Sequence, residues 1–283
     1  MAARALIIYG FAMEQGYQLT VQTVLPENYR ENDAVRRDFA TLEELGFWGV
    51  ELNMADPAAF DMGDVRSFLG EYNLKLSMYA SGLTAKTFNV SLSSEDEENR
   101  GRAVEKARQM IHLLADTGAG IIFGYMKGGP GFDKVAAAAQ LQKSLADLVD
   151  DAASSEVPLL VEATNRYEAT LANSLDDAWE IAAPFEGKGV YILPDTFHMN
   201  IEEADMEDAL RRHVDHFISF HVSENNRFFP GFGAIDFAEV MEMLDRVGYE
   251  SGHIGIEGNI KESFDYDIRR SAELLRPLIS SPM

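Results

Sequence analysis

An eightfold alternation of short apolar runs and amphipathic stretches limits this chain most, because no linker rich in proline, glycine or serine interrupts it. The runs predict strands at Leu6–Gly10, Trp48–Leu52, Leu74–Tyr79, Gly120–Gly124, Pro158–Glu162, Val190–Thr196, Phe217–Val222 and His253–Glu257. Apolar spacing between and after them predicts helices at Val35–Leu45, Met62–Tyr72, Asn99–Asp116, Val135–Ala153, Leu175–Ala183, Met206–His213, Phe237–Val247 and Ser263–Leu275. Strands that are apolar throughout suit a parallel sheet covered on both faces. Eight β-then-α units in 283 residues predict an α/β protein, a closed (β/α)8 TIM barrel spanning 1–283 as a single domain, rather than a doubly wound sheet.

Local signals agree with this reading. Gly46, Gly118 and Gly248 each follow an amphipathic stretch, where a left-handed cap is wanted. Ser174 and Asp236 stand at N-cap positions, and Pro277 is expected to stop the last helix. The acidic run Glu95-Asp96-Glu97-Glu98 reads as a solvated helix N-terminus favoured by the helix dipole, not as a metal site.

Composition excludes several classes of function. There is no cysteine, hence no disulfide, thiolate metal site or cysteine nucleophile. The 47 acidic residues outnumber the 24 Lys and Arg, giving a net charge of −23 that repels phosphate backbones and anionic lipid. No apolar run is long enough to span a membrane. The segment Met1–Gly10 has too short an apolar core for a signal peptide and reads as the first strand, so a cytoplasmic location is expected. Neither a nucleic-acid nor a membrane partner is expected.

The fifth to eighth runs end at, or one residue beyond, Glu162, Asp195, His221 and Glu257. In a barrel of this kind the active site lies at the C-terminal ends of the strands. Adjacent strand ends are only about 5 Å apart, so these side chains would converge. In Tyr191–Glu203 taken alone, Asp195 also reads as the N-cap of the next helix and His198 as a loop histidine. Four ligand-type residues on consecutive strand ends are hard to explain in that way. Three clustered carboxylates repel one another, and a divalent cation resolves the conflict. Three carboxylates and one imidazole favour Mn²⁺, with Mg²⁺ or Co²⁺ as alternatives, over a structural zinc. About two positions of a six-coordinate ion would remain for a bidentate substrate such as an α-hydroxy ketone.

Three segments carry a family resemblance: Val161–Glu168 (VEATNRYE), Asp195–Glu203 (DTFHMNIEE) and His221–Gly231 (HVSENNRFFPG). They resemble the ketose 3-epimerases of the D-tagatose/D-psicose type, within the xylose-isomerase-like sugar isomerase/epimerase superfamily. The first half is similar only in general pattern, through Gly46–Leu52 and the strand-end Tyr9. The resemblance implies that Glu162, Asp195, His221 and Glu257 hold the metal. It implies that Glu162 and Glu257 are the acid–base pair, and that Glu168, His198 and Arg227 bind oxygens of a small sugar. It also implies a homodimer or homotetramer. Pro194 before Asp195 and Gly258 after Glu257 depart from the usual pattern. In the loop Lys127-Gly128-Gly129-Pro130-Gly131, Lys127 is placed to meet an acidic substrate group, although such a loop is more often only a turn.

The same chemistry follows from the residue types. A metal on the carbonyl and hydroxyl oxygens stabilises the enediolate, one carboxylate removes the adjacent proton, and the other returns one from the opposite face. The expected function is therefore metal-dependent inversion of C3, beside the ketone of a ketose or keto-sugar acid. Aldose–ketose or hydroxypyruvate isomerisation is the alternative, and a non-catalytic sugar-binding barrel is a third reading. An abasic-site endonuclease would need a basic groove, which a net charge of −23 opposes. No dinucleotide fingerprint occurs, because the glycines at 128, 129 and 131 have the wrong spacing.

Overall fold

Alternation along each strand decides where the site is built. In a computed structural model of the chain, residues 16–131, 133–249 and 251–279 are described, together with the backbone of Ile7–Ile8 and Phe11–Ala12. The barrel strands are β1 (Gly16–Val24), β2 (Gly49–Asn53), β3 (Lys75–Ala80), β4 (Gly120–Phe123), β5 (Leu159–Glu162), β6 (Val190–Leu193), β7 (Ser219–Val222) and β8 (Ser251–Ile256). They are hydrogen-bonded in the order β6-β5-β4-β3-β2-β1-β8-β7, every neighbouring pair being parallel. The ring closes between β6 and β7 through the isolated parallel bridges Ile192↔Phe217 and Asp195↔His221. Pro194 has no N–H to give to a ladder, but its carbonyl accepts the His221 N–H at 2.9 Å. The result is a nearly closed TIM barrel.

Two apolar clusters separate the outside of the barrel from its inside. Val50, Leu52, Ile121, Phe123, Leu159, Val161, Ile192, Phe220, Val222, Ile254 and Ile256 belong to the large core shared with the helices. Met78, Ile122, Leu160, Leu193 and Ile218 form a second, smaller cluster. With a side-chain period of two, Leu160 and Glu162 share one face of β5, and Leu193 and Asp195 share one face of the β6 end. The inner apolar cluster therefore sits beneath a layer of polar groups.

The surrounding helices are α1 (Asp33–Glu44), α2 (Met62–Gly70), α3 (Gly82–Phe88), α4 (Glu97–Leu114), α5 (Lys134–Ala146), α6 (Val149–Ser154), α7 (Leu175–Ala182), α8 (Thr196–Glu202), α9 (Met206–His213), α10 (Phe237–Val247) and α11 (Phe264–Ile279). Gly46, Gly118 and Gly248 all have positive φ, as their capping positions require. Ser174 and Asp177 form a reciprocal capping box at α7, Asp236 caps α10, and Asp96 caps α4.

Several expectations are corrected. The first barrel strand is Gly16–Val24, not Leu6–Gly10: Ile7–Ile8 instead pairs antiparallel with Phe11–Ala12. Leu6, Tyr9 and Gly10 lie outside the described residues. The polar alternation Gln18, Thr20, Gln22 disguised β1, yet Gln18 and Thr20 are buried and Gln22 accepts a hydrogen bond from Asn53 at 2.8 Å. The fourth predicted helix is two, α5 and α6, and beyond the break Leu148, Val149 and Ala152 are all buried. The stretch between Tyr79 and Asn99 contains α3, which is too short for a clear periodic signal. Helix α11 continues two residues past Pro277, because a proline in the final turn forfeits one i→i−4 bond without breaking the turns before it.

Candidate metal centre

Glu162, Asp195, His221 and Glu257 each turn a ligand atom toward the others, and these four atoms lie within 4.8 Å of one another. Glu162, Asp195 and His221 are buried, and the Glu257 side chain is 19% exposed. Asp195 does two jobs with its two oxygens. Oδ1 caps α8 by accepting the N–H groups of Phe197 and His198, and Oδ2 faces the cluster. The capping reading and the ligand reading of Asp195 are thus compatible.

His221 is held from both sides. Its Nε2 is 2.9 Å from Glu51 Oε2, and its Nδ1 is 2.8 Å from Glu257 Oε2. The same Nδ1 lies 3.9 Å from both Glu162 Oε1 and Asp195 Oδ2. Nδ1 is therefore the nitrogen offered to the carboxylates, and Glu51 fixes the ring from behind. Burial opposes charging the ring, but Glu51 and Glu257 outweigh it and raise the His221 pKa well above its ordinary value. Glu51 was missed by sequence reasoning. It lies mid-strand on β2 and is fully buried, beside a register shift that leaves Ser77 without a β2 partner. A carboxylate inside a strand expected to be covered on both faces was the available signal. Gly255 makes room for the pair, since a Cβ there would lie 2.6 Å from Glu51 Oε1 and 2.9 Å from His221 Cδ2.

Arg227 reaches the cluster from the loop after β7. Nη1 bonds Asp195 Oδ2 and Nη2 pairs with Glu257 Oε1, each at 2.8 Å, while the guanidinium lies 5.0 Å from the centre of the Phe197 ring. Its backbone is left-handed, φ +65°, which costs a non-glycine residue about 1–2 kcal/mol. Glu224, also missed, holds that turn. Its backbone carbonyl accepts the Arg227 N–H, and its buried carboxylate accepts the N–H groups of Gly231 and Ile235. Gly258 has a structural reason too: a Cβ would lie 2.9 Å from the Arg227 carbonyl oxygen.

His198 is buried on α8. Its Nδ1 accepts the backbone N–H of Asn165 at 3.1 Å, so Nε2 carries the ring proton. That Nε2 has no hydrogen-bond partner and lies 3.7 Å from Glu162 Oε1, which has none either. Each unpaired buried polar atom costs about 1–3 kcal/mol, and this pair marks a place built for a ligand. Glu168 Oε1 accepts from Asn165 Nδ2 at 3.1 Å and lines the same cleft. All seven residues proposed from the sequence therefore gather around one place. Lys127 is also there: it is buried, and burial lowers its pKa to about 8 against the opposing pull of Glu162 and Glu168.

The two glutamates differ in environment. Burial, then the nearby Glu257, push Glu162 up to about 8, with His221 opposing. Burial would also raise Glu257, but Arg227 and His221 overcome it and hold Glu257 below the usual carboxylate range. The donor set fits a divalent cation: an orphaned Glu162 oxygen, two further carboxylates and an imidazole oriented by Glu51. Above it opens a cleft of about 480 Å³ lined by Gln22, Asn53, Glu162, His198, Arg227 and Glu257 among others.

Residues 39–278 match the family described as "Xylose isomerase-like TIM barrel". The chain is 28% identical over 253 residues to an L-ribulose 3-epimerase of Mesorhizobium japonicum, covering 88% of this chain and 84% of that protein. It is 26% identical over 250 residues to the 3-dehydro-D-guloside 4-epimerase of Escherichia coli, covering 85% and 90%. Among solved structures, the D-allulose 3-epimerase from Methylomonas sp. superposes with a TM-score of 0.79 at 21% identity, over 95% of this chain and 100% of that one. At that identity the likeness speaks for the fold alone. Among the described residues, no helix is long and apolar enough to cross a membrane.

Proposed function

This chain belongs to the xylose isomerase-like TIM-barrel family, and we propose that it is a metal-dependent epimerase that inverts C3, beside the ketone of a ketose or keto-sugar acid. One observation carries the reading. Glu162 and Glu257 come from β5 and the end of β8, three strands apart around the barrel, yet place carboxylate oxygens within 4.8 Å of each other at the floor of one cleft.

Glu162, Asp195, His221 and Glu257 would hold the ion, Mn²⁺ or else Mg²⁺ or Co²⁺. When bound, it supplies positive charge that lowers the cost of removing a proton beside a ketone. Glu162 and Glu257 are the acid–base pair: one takes that proton and the other returns one from the opposite face, the roles exchanging in the reverse direction. His198 offers its Nε2–H to a substrate oxygen, and Arg227 and Glu168 bind others. The E. coli relative's name describes inversion at C4 of a 3-dehydro sugar. That too is a centre next to the ketone, so the two-carboxylate chemistry is the same and only the substrate's seating differs.

The test is product analysis. Protein loaded with Mn²⁺ is incubated with ketopentoses, ketohexoses and keto-sugar acids, and the products are separated by chromatography. C3 epimers are expected. An aldose product would favour isomerisation instead, and a C4 epimer would move the reacting carbon.

A further inference from the structure

Lys127 ends the single turn Tyr125–Lys127 that follows β4. Its buried side chain forms part of the cleft wall. Nζ donates to Thr164 Oγ1 at 2.5 Å and to the Gly124 carbonyl at 3.3 Å, and both partners are neutral. Glu162 and Glu168 reach it only as charges acting through space. An ammonium has no acceptor capacity, so the proton of the Thr164 hydroxyl must point away from Lys127. Thr164 is itself 6% exposed and lines the cleft, and its backbone N–H and carbonyl are already engaged by Ala172 and Asn173. The pair therefore forms a directed chain: ammonium to hydroxyl oxygen, and hydroxyl proton to the cleft.

A divalent ion held by Glu162 would offset that carboxylate's charge, leaving Glu168 as the one carboxylate still acting on this desolvated cation. A second lysine, Lys86 of α3, lines the same cleft, its ammonium 4.8 Å from the centre of the Tyr125 ring. Along this cleft Lys86, Lys127 and Arg227 equal Glu162, Glu168 and Glu257 in number, whereas the chain as a whole carries a net charge of −23. We propose that Lys127 and Thr164 form an anion subsite, with Lys86 nearby, and that the preferred substrate is a keto-sugar acid whose carboxylate lies at the chain end away from the reacting carbons. This rests on the epimerase reading and narrows it to one substrate class.

The experiment uses two matched pairs that differ only at C6: D-fructose with D-fructuronate, and D-tagatose with D-tagaturonate. For Mn²⁺-loaded protein, binding is measured by calorimetry and turnover by loss of the C3 proton. The acid of at least one pair should bind about tenfold or more tightly than its neutral partner, as expected of a charge-assisted hydrogen bond. Lys127→Met and Thr164→Val should each bring that ratio close to one, and Lys86→Gln should lower it less. General damage to the fold would weaken both members of a pair and leave the ratio unchanged, so the ratio isolates recognition. Equal binding of acid and neutral sugar by the wild type, or a ratio preserved in both the Lys127 and Thr164 variants, would overturn the subsite. Acid-selective binding without proton loss would keep the subsite and sink the epimerase reading. Turnover of the ketohexoses without acid preference would do the reverse.

Discussion

Oε2 of Glu51 sits 2.9 Å from Nε2 of His221, and both side chains are fully buried inside the barrel. The contact fixes which imidazole nitrogen faces the three carboxylates. A carboxylate behind a ligating histidine sets the ring's tautomer and orientation, and losing it typically costs 10–100-fold in metal affinity or activity. Glu51→Gln should therefore weaken Mn²⁺ binding by about 10–100-fold, read by calorimetry. Unchanged affinity would mean that the pair only fills the barrel interior.

Gly124 supports Glu162 in a different way. A Cβ there would fall 2.1 Å from Glu162 Oε2, the movable end of a side chain and not backbone. Gly124→Ala should displace that carboxylate while leaving the fold nearly as stable. The expected result is a loss of kcat of roughly 10²-fold, the scale associated with a misplacement of about 1 Å, with little change in Tm. A large drop in Tm, or full activity, would contradict this.

How far the sequence could be read depended on whether a residue's role was local. Glu162, Asp195, His221 and Glu257 were legible because each lies at or one residue before the end of an apolar run, and position along a strand is written in one dimension. Glu51 was not, because its importance comes from His221, 170 residues away. Strand β1 was obscured because its inward residues are polar: Thr20 lies 3.5 Å from Glu51, and Gln22 lines the cleft. An apolar-run criterion passes over such a strand and selects Leu6–Gly10 instead. Glu224 stood inside a recognised motif, yet its support of the Arg227 turn depends on N–H groups seven and eleven residues further on.

At the start of β8, His253 is buried with its ring centre 4.8 Å from that of Trp48. Burial pushes its pKa from 6.5 down to about 4, only partly offset by Glu51. Between these values the unfolded chain binds more protons than the folded one. The stability contributed by the neutral ring is thus fully present above pH 6.5 and is lost as the pH falls toward 4. The total amounts to about 3 kcal/mol. Urea unfolding at a series of pH values should show a shallower acid loss for His253→Phe than for the wild type across that window. Parallel profiles would contradict the assignment.

The central claim is that Glu162 and Glu257 move protons on opposite faces of one carbon. The direct measurement is proton NMR of a turned-over ketose in D₂O with Mn²⁺-loaded protein. The wild type should place deuterium at C3 of the product, because the carboxylate that returns a proton is not the one that removed it. Glu162→Gln and Glu257→Gln should each abolish epimerisation while retaining some metal through the amide oxygen. Deuterium at C1 with an aldose product, or full epimerase activity in either variant, would contradict the account.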